Sequence, residues 1–343
     1  MFRRVIGAPQ HYDWGDPTFI PDLFQLPSNS QPWAEMWFGT HPAAPSRLDT
    51  ADGQLLSAEI GEMTMLVKVL ACTSPLSLQT HPTRQQAERG FARENATGIP
   101  LSDPKRVYKD PSDKPEILIA LTEFEALCGF DTIEASIDRL QQFGWNEEAD
   151  VLDQNGIDGY LLWAFDQRTS PSMNAVPGWM QRLSDAYPTD RALRVAPLLH
   201  HIVLQPGQAI SLPAGNLHAY LHGAGIEVMA SSDNVVRAGF TSKHVDVGEL
   251  LRIVDTSPLE SPISPTFVNN HWTEYASPSP AFSVASTTWE NLHTVEASSA
   301  HRFFFGPLGD DARPDMTWLP AGESHNFKTV PGTHNVAWMF TQN

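Results

Sequence analysis

The sequence predicts a mainly β protein in which two strand-rich blocks, barrels or sandwiches of the jelly-roll kind, flank a helical one. Three observations predict it. Gly 22 and Pro 28 among 343 residues are high for a helical protein, and they imply many turns and hence many short strands. Short β-rich apolar runs bounded by turn residues fill residues 1–80 and resume at Ile202. Between them, residues 132–200 carry apolar side chains at helical spacing.

In chain order, Trp33-Ala34-Glu35-Met36-Trp37-Phe38-Gly39 alternates imperfectly and ends in the loop signal Gly39-Thr40-His41-Pro42. Met65-Leu66-Val67-Lys68-Val69-Leu70 is an apolar strand with one lysine, which either marks an exposed edge or points into a pocket. In Pro75-Leu76-Ser77-Leu78-Gln79-Thr80-His81-Pro82, a period of two sets Ser77, Gln79 and His81 on one face and Leu76, Leu78 and Thr80 on the other. Pro82, without an N–H, ends that ladder. Residues 83–95 read as a short polar helix, with Ala87 and Phe91 on one face, and 98–111 as a loop. Lys114-Pro115-Glu116-Ile117-Leu118-Ile119-Ala120-Leu121 is a strand opened by a charged pair on one face.

Ile133, Ile137 and Leu140 begin the helical insert, whose aromatics are read as packing. Strands follow at 202–204, 209–212, 217–222, 226–229 and 234–237, with His218, Tyr220 and His222 sharing a face. Residues 247–254 read as a short helix, and 255–280, rich in Ser and Pro, as a linker over the surface. Strands return from 281, with turns at Gly322-Glu323-Ser324 and Pro331-Gly332. The implied organisation is a first roll from 1–82 and 112–131, a helical region from 83–111 and 132–200, and a 201–343 part. That last part completes the site and forms a shortened C-terminal roll.

Hydrophobic residues make up 41% of the chain, enough for a substantial core. The formal net charge of −18 argues against nucleic acid and anionic membranes as partners. An anionic substrate would therefore need a local basic pocket. Cys72 and Cys128 lie far apart with no CxxC pairing, as reduced thiols of a cytoplasmic protein would. The apolar run that follows Met1-Phe2-Arg3-Arg4 is far too short for a signal peptide, and no run approaches the length of a membrane span.

Gln79, His81, Glu116 and His218 share a description. Each sits on or at the end of a predicted strand among apolar neighbours, and each offers one N or O donor. Two imidazoles, a carboxylate and an amide oxygen suit Zn2+ or a similar divalent ion. Singly, a lone His is more often a hydrogen-bonded core or rim residue, and Glu116 beside Lys114 a surface charge. The combination is what points to a metal.

Several of these residues lie in longer motifs. Tyr12-Asp13-Trp14-Gly15, Trp33-Ala34-Glu35-Met36-Trp37-Phe38-Gly39-Thr40-His41-Pro42, Leu76-Ser77-Leu78-Gln79-Thr80-His81-Pro82, Lys114-Pro115-Glu116 and Leu217-His218-Ala219-Tyr220 occur in that order. Glu227-Val228-Met229-Ala230-Ser231-Ser232-Asp233-Asn234-Val235-Val236-Arg237-Ala238-Gly239 follows. Together they resemble the type I mannose-6-phosphate isomerases over roughly residues 10–255, and the Ser-Asp-Asn-Val-x-Arg-Ala-Gly run is the most specific part. The resemblance implies two cupin-like jelly-roll β-barrels with an additional α-helical domain. It also implies one Zn2+ per chain and reversible isomerisation of mannose 6-phosphate and fructose 6-phosphate. The family's metal ligands fall on Gln79, His81, Glu116 and His218.

An aldose–ketose isomerisation moves a proton between C2 and C1 through an enediol, so it needs an acid and a base as well as charge stabilisation. By the family pattern Lys114 is a candidate base and Glu227 a second. Arg237 matches the arginine that steadies the transition state, and Asp233 orients such groups. Ser77, Lys68 and Lys243 carry over as phosphate contacts, a basic cluster inside an acidic chain. The expected partner is a small sugar phosphate, and the expected protein a cytoplasmic monomer. The chain departs from the family at Thr83-Arg84, where Asp-Lys is usual, and after about residue 280, where it is short and poorly matched. Two other classes share parts of the pattern: another cupin-type metalloenzyme, which has no need of Arg237 and the lysines, and a non-catalytic sugar-phosphate-binding cupin.

Overall fold

Strand His218–Ala230 is the spine of the fold. In this computed structural model, which describes residues 2–27, 30–292, 294–307, 314–327 and 336–343, it pairs antiparallel with four other strands. Its last eight residues run beside Met65–Cys72, and Gly225 to Met229 also pair with Glu116–Ala120 on the other side. Its first residues pair instead with Leu78–Thr80 and Phe124–Phe130. A register shift between Tyr220 and His222 makes this change of partner possible, because an extra residue bends and twists a strand. The same shift parts three histidine-face residues predicted to lie together. His218 and Tyr220 are buried, whereas His222 is exposed.

Further strands extend this sheet: Ala209–Ser211 beside Glu116–Ala120, and Glu35–Phe38 then Ala8–Gln10 beyond Met65–Cys72. Leu199–Leu204 pairs with Phe124–Phe130, and Val236–Gly239 with Leu78–Thr80. A second antiparallel sheet runs Thr266–Asn269, Trp272–Tyr275, Phe282–Thr288, Val336–Gln342, His301–Pro307, Pro314–Leu319, Arg3–Ile6 and Arg47–Leu48. Its last two strands come from the N-terminal part of the chain. The two sheets share one apolar core, in which Val67, Val69, Ile226 and Val228 meet Phe282, Phe303, Trp318 and Phe340. The protein is thus mainly β and antiparallel.

The helical insert covers the outer end of the spine. Helices Ile133–Gln142, Asn146–Asp166 (broken at Gly156, φ 64°) and Gly178–Ala186 bury Leu140, Leu152, Tyr160, Leu161, Met180 and Leu183. These pack on Leu78, Leu127, Leu217, Val236 and Phe240 of the sheet strands and the turn after them. Helix Arg84–Ala96 starts with a capping box: Thr83 accepts from the Gln86 amide, and the Gln86 side chain accepts from the Thr83 amide. Helix Val247–Ile253 lies where the sequence placed it.

The structure corrects three expectations. Residues 218–230 form one strand rather than the two expected at 217–222 and 226–229, because Gly223 and Gly225 pair within it instead of turning. The stretch read as a linker contains the hairpin Thr266–Asn269 and Trp272–Tyr275, whose period was hidden by flanking Ser and Pro. Strands resume at Leu199, before the predicted Ile202. The expected turn at Pro331-Gly332 lies outside the described residues. Among the described residues no helix is long and apolar enough to cross a membrane. Cys72 and Cys128 are both free and buried, and burial pushes the Cys72 thiol up to about 12.

Candidate active site

Three strands bring the first cluster together. Glu116 opens Glu116–Ala120, His218 opens the spine, and His81 follows Leu78–Thr80. Leu78 and Thr80 are fully buried on the core side, so the alternation sends Gln79 to the opposite side, as period two requires. The metal-type donor atoms of His81, Glu116 and His218 all lie within 4.8 Å of one another, and all three residues are buried. His81 Nε2 is 3.3 Å from Glu116 Oε2, and His218 Nε2 is 3.0 Å from Glu116 Oε1. These approaches lack hydrogen-bond geometry: His81 Nε2, His218 Nε2 and Glu116 Oε2 have no hydrogen-bond partner.

The other ring nitrogens are occupied. His81 Nδ1 lies 2.8 Å from the Asn234 carbonyl oxygen, and His218 Nδ1 3.2 Å from that of Asn216. A carbonyl accepts, so each Nδ1 is the donor, and each Nε2 lone pair faces the cluster. Burial lowers the pKa of the His81 imidazole, with Lys114 and His218 adding to the effect despite Glu116, and so holds the ring neutral. Burial alone would raise the Glu116 carboxyl, but the neighbouring Lys114 charge above all outweighs it and holds the carboxyl well below its usual range. Two imidazoles and an ionised carboxylate, each with an orphaned buried atom, fit a divalent cation. Lys114 Nζ, 3.3 Å from Glu116 Oε2, flanks the cluster.

Gln79 lies across the ladder from both His218 and Arg237. Its Oε1 accepts from Ser77 Oγ at 3.0 Å, which fixes the amide. Gln79 and Lys114 also line a cavity of about 720 Å³, in the range of small-molecule sites. A second ionic cluster stands in its wall. Lys68 Nζ is 3.0 Å from Glu227 Oε2 and 3.4 Å from Glu35 Oε1, with all three groups buried. Trp37 Nε1 donates to Glu35 at 2.7 Å, and Tyr220 Oη donates to Glu227 at 3.1 Å. The Lys68 ammonium also lies 5.1 Å from the Trp37 ring centroid. Burial opposes its charge, but Glu227 and Glu35 more than reverse this, so its pKa is raised and it remains a cation.

Arg237 and Lys243 line the same cavity. Neither side chain has an ion-pair or hydrogen-bond partner among the described residues. Burial lowers both pKa values, and the Arg237 charge lowers that of Lys243 further. Asp233 is engaged elsewhere than with Arg237: its carboxylate is 3.3 Å from His41 Nε2, and this contact holds it below its usual range. His41 Nδ1 accepts from the Ala43 amide, so Nε2 is the donor. A smaller cavity of about 370 Å³ adjoins, sharing Asp233, Val235 and Arg237. Thus all seven predicted catalytic and phosphate-contact residues, and Gln79, line the large cavity, beside the His–Glu–His cluster. Glu35, Tyr220 and His41 were not singled out from sequence. The signal available for Glu35 was a carboxylate inside the apolar run Trp33 to Phe38.

Such a site, a buried cation-ready cluster beside a cavity holding unpaired positive charge, suits an anionic substrate handled next to a metal. Comparison with known proteins gives the same direction. Residues 2–133 match the model of the phosphomannose isomerase type I catalytic domain. The chain is 35% identical over 294 residues to the mannose-6-phosphate isomerase of Salmonella typhimurium, covering 75% of each. It is 27% identical over 394 aligned positions to mannose-6-phosphate isomerase 1 of Arabidopsis thaliana, covering 96% of this chain and 82% of that one. A crystal structure of the Salmonella typhimurium enzyme bound to its substrate fructose 6-phosphate and to zinc superposes with a TM-score of 0.87 at 26% identity, covering 100% of both chains. A zinc-bound mannose 6-phosphate isomerase structure gives 0.87 at 28% identity with the same coverage.

Proposed function

The chain belongs to the type I phosphomannose isomerase family, and from that premise we infer that it interconverts mannose 6-phosphate and fructose 6-phosphate with one zinc ion. The observation that carries this reading is the trio of orphaned buried atoms, His81 Nε2, Glu116 Oε2 and His218 Nε2. Left bare, each would carry a desolvation cost of about 1–3 kcal/mol or more. A cation removes all three deficits together. His81, Glu116 and His218 would hold the ion, with Gln79 Oε1 as the fourth protein donor. When bound, zinc supplies positive charge that stabilises negative charge on a sugar oxygen.

The remaining roles fall to the cavity wall. Glu227 is an anionic acceptor steadied by Lys68 and Tyr220; we assign it the base that takes the C2 proton and returns it to C1. Lys114, an ammonium against the Glu116 carboxylate, is better placed to move a proton between O1 and O2 than to act as the carbon base. Arg237, a cation with no protein partner among the described residues, would steady the enediolate. Asp233, held by His41, orients the segment carrying Arg237. Lys243 and Ser77 would contact the phosphate. Lys68, already shared by two carboxylates, is left the smaller part of that contact.

We read the two sheets as cupin-like jelly rolls and 83–111 with 132–200 as the helical region between them. In this reading residues 201–343 complete the first roll and supply most of the second. We propose a cytoplasmic chain, in keeping with its free buried thiols, that acts as a monomer. Turnover of mannose 6-phosphate by the zinc-loaded protein, abolished by a chelator and restored by zinc, tests the function. No turnover with full zinc contradicts it and favours a silent binding cupin. Metal-dependent oxygen uptake instead of isomerisation favours a different cupin metalloenzyme.

A further inference from the structure

The turn that carries Lys243 is held from outside the sheet. Strand Val236–Gly239 ends beside the helical insert, and the chain then turns through Phe240 at φ 52°, a left-handed conformation that strains a residue with a Cβ. Something must over-determine that geometry. Two groups of the insert do so. The Phe240 ring is buried, with its centroid 5.7 Å from that of Tyr187. The Phe240 amide donates to Asp190 Oδ2 at 2.6 Å, while Asp190 Oδ1 accepts from the Ala192 amide at 2.9 Å. The fit leaves no slack, since a Cβ on Gly239 would collide with Ala192 Cβ and lie 2.6 Å from Asp190 Oδ1. Beyond Phe240, Thr241, Ser242 and Lys243 form part of the cavity wall opened by Arg237.

Two unpaired cations therefore stand on either side of one pinned, strained residue. Both are cations lining one cavity, and like charges repel. Without the pin, relaxation of Phe240 out of the left-handed region would swing Lys243 away from Arg237. We propose that Asp190 is a positioning residue: by binding the Phe240 amide it fixes the turn that holds Lys243 beside Arg237, so the helical insert sets affinity for the phosphate of the substrate. The proposal rests on the assignment of Lys243 to the phosphate. Asp190 itself does not line the cavity.

The test is steady-state kinetics of the zinc-loaded full chain, with zinc content measured in each variant. Asp190→Ala is expected to raise KM for mannose 6-phosphate about tenfold with kcat within about twofold and zinc retained, the pattern of lost binding common to ground and transition states. Asp190→Asn keeps one carbonyl oxygen and is expected to fall between, at about threefold. Inorganic phosphate, used as a competitive probe, should weaken in parallel. In the double variant with Lys243→Ala, KM should rise no further than with Lys243→Ala alone. If Lys243→Ala raises KM but both Asp190 variants keep the unaltered KM, the positioning role is wrong and the phosphate assignment stands. If Lys243→Ala leaves KM unchanged, the phosphate assignment fails and takes this proposal with it. Should Asp190→Ala not fold, Asp190→Asn alone decides: a raised KM supports the role, and an unchanged one overturns it.

Discussion

Two buried ionic clusters stand on neighbouring strands and differ in one respect. In Glu35–Lys68–Glu227 every charged group has a protein partner: two carboxylates share one ammonium, and Trp37 and Tyr220 donate to the carboxylate oxygens. In His81–Glu116–His218 the donors converge and stop: His81 Nε2, His218 Nε2 and Glu116 Oε2 have no hydrogen-bond partner, and Lys114 only flanks the carboxylate. A buried polar group without a partner costs stability, so a fold keeps one where function requires it. The first cluster is complete as built. The second is complete only with a cation. On the proposed assignment, the first would hold the catalytic carboxylate and the second the metal.

That distinction is broken most severely by His81→Ala. Zinc should be lost, and turnover should fall by at least about 10³-fold, since several kcal/mol of charge stabilisation go with the ion. Full zinc by elemental analysis would remove His81 from the ligand set. Arg237→Ala should keep zinc and lower kcat by about 10²–10³-fold, as loss of a group poised for developing negative charge does. Near-normal kcat would end its assigned role. Lys243→Ala should raise KM about tenfold, roughly 1.4 kcal/mol, with a smaller change in kcat. A loss confined to kcat would contradict a phosphate contact. The mildest change belongs to the complete cluster. Glu35→Gln leaves Lys68 paired with Glu227, so zinc should stay and denaturant unfolding should show a loss of about 1–3 kcal/mol. Loss of zinc from this variant would show that the two clusters are not separate.

How much of this could be read from the chain follows the range of the interactions. Period two placed Gln79 and Ser77 opposite Leu78 and Thr80, and the burial of Leu78 and Thr80 agrees. The convergence of His81, Glu116 and His218 was proposed from residue type and motif, and the three do converge. Long-range pairings left no local trace. Nothing in Arg3–Ile6 or Arg47–Leu48 announces that they join a sheet made otherwise from residues beyond 265. Glu35 looks like an irregularity in an apolar run because its ion-pair partner, Lys68, lies on another strand. His41 and Asp233, nearly two hundred positions apart, were likewise invisible as a pair. The register shift after Tyr220 defeated the simple alternation that had put His222 with His218.

The contrast between the clusters is tested most directly by zinc stoichiometry in two matched variants, Glu116→Gln and Glu227→Gln, each removing one carboxylate charge at nearly constant volume. The expected result is loss of zinc from Glu116→Gln, with one zinc per chain retained by Glu227→Gln despite its low turnover. Zinc retained by Glu116→Gln, or lost from Glu227→Gln, would contradict the assignment of the metal to the incomplete cluster.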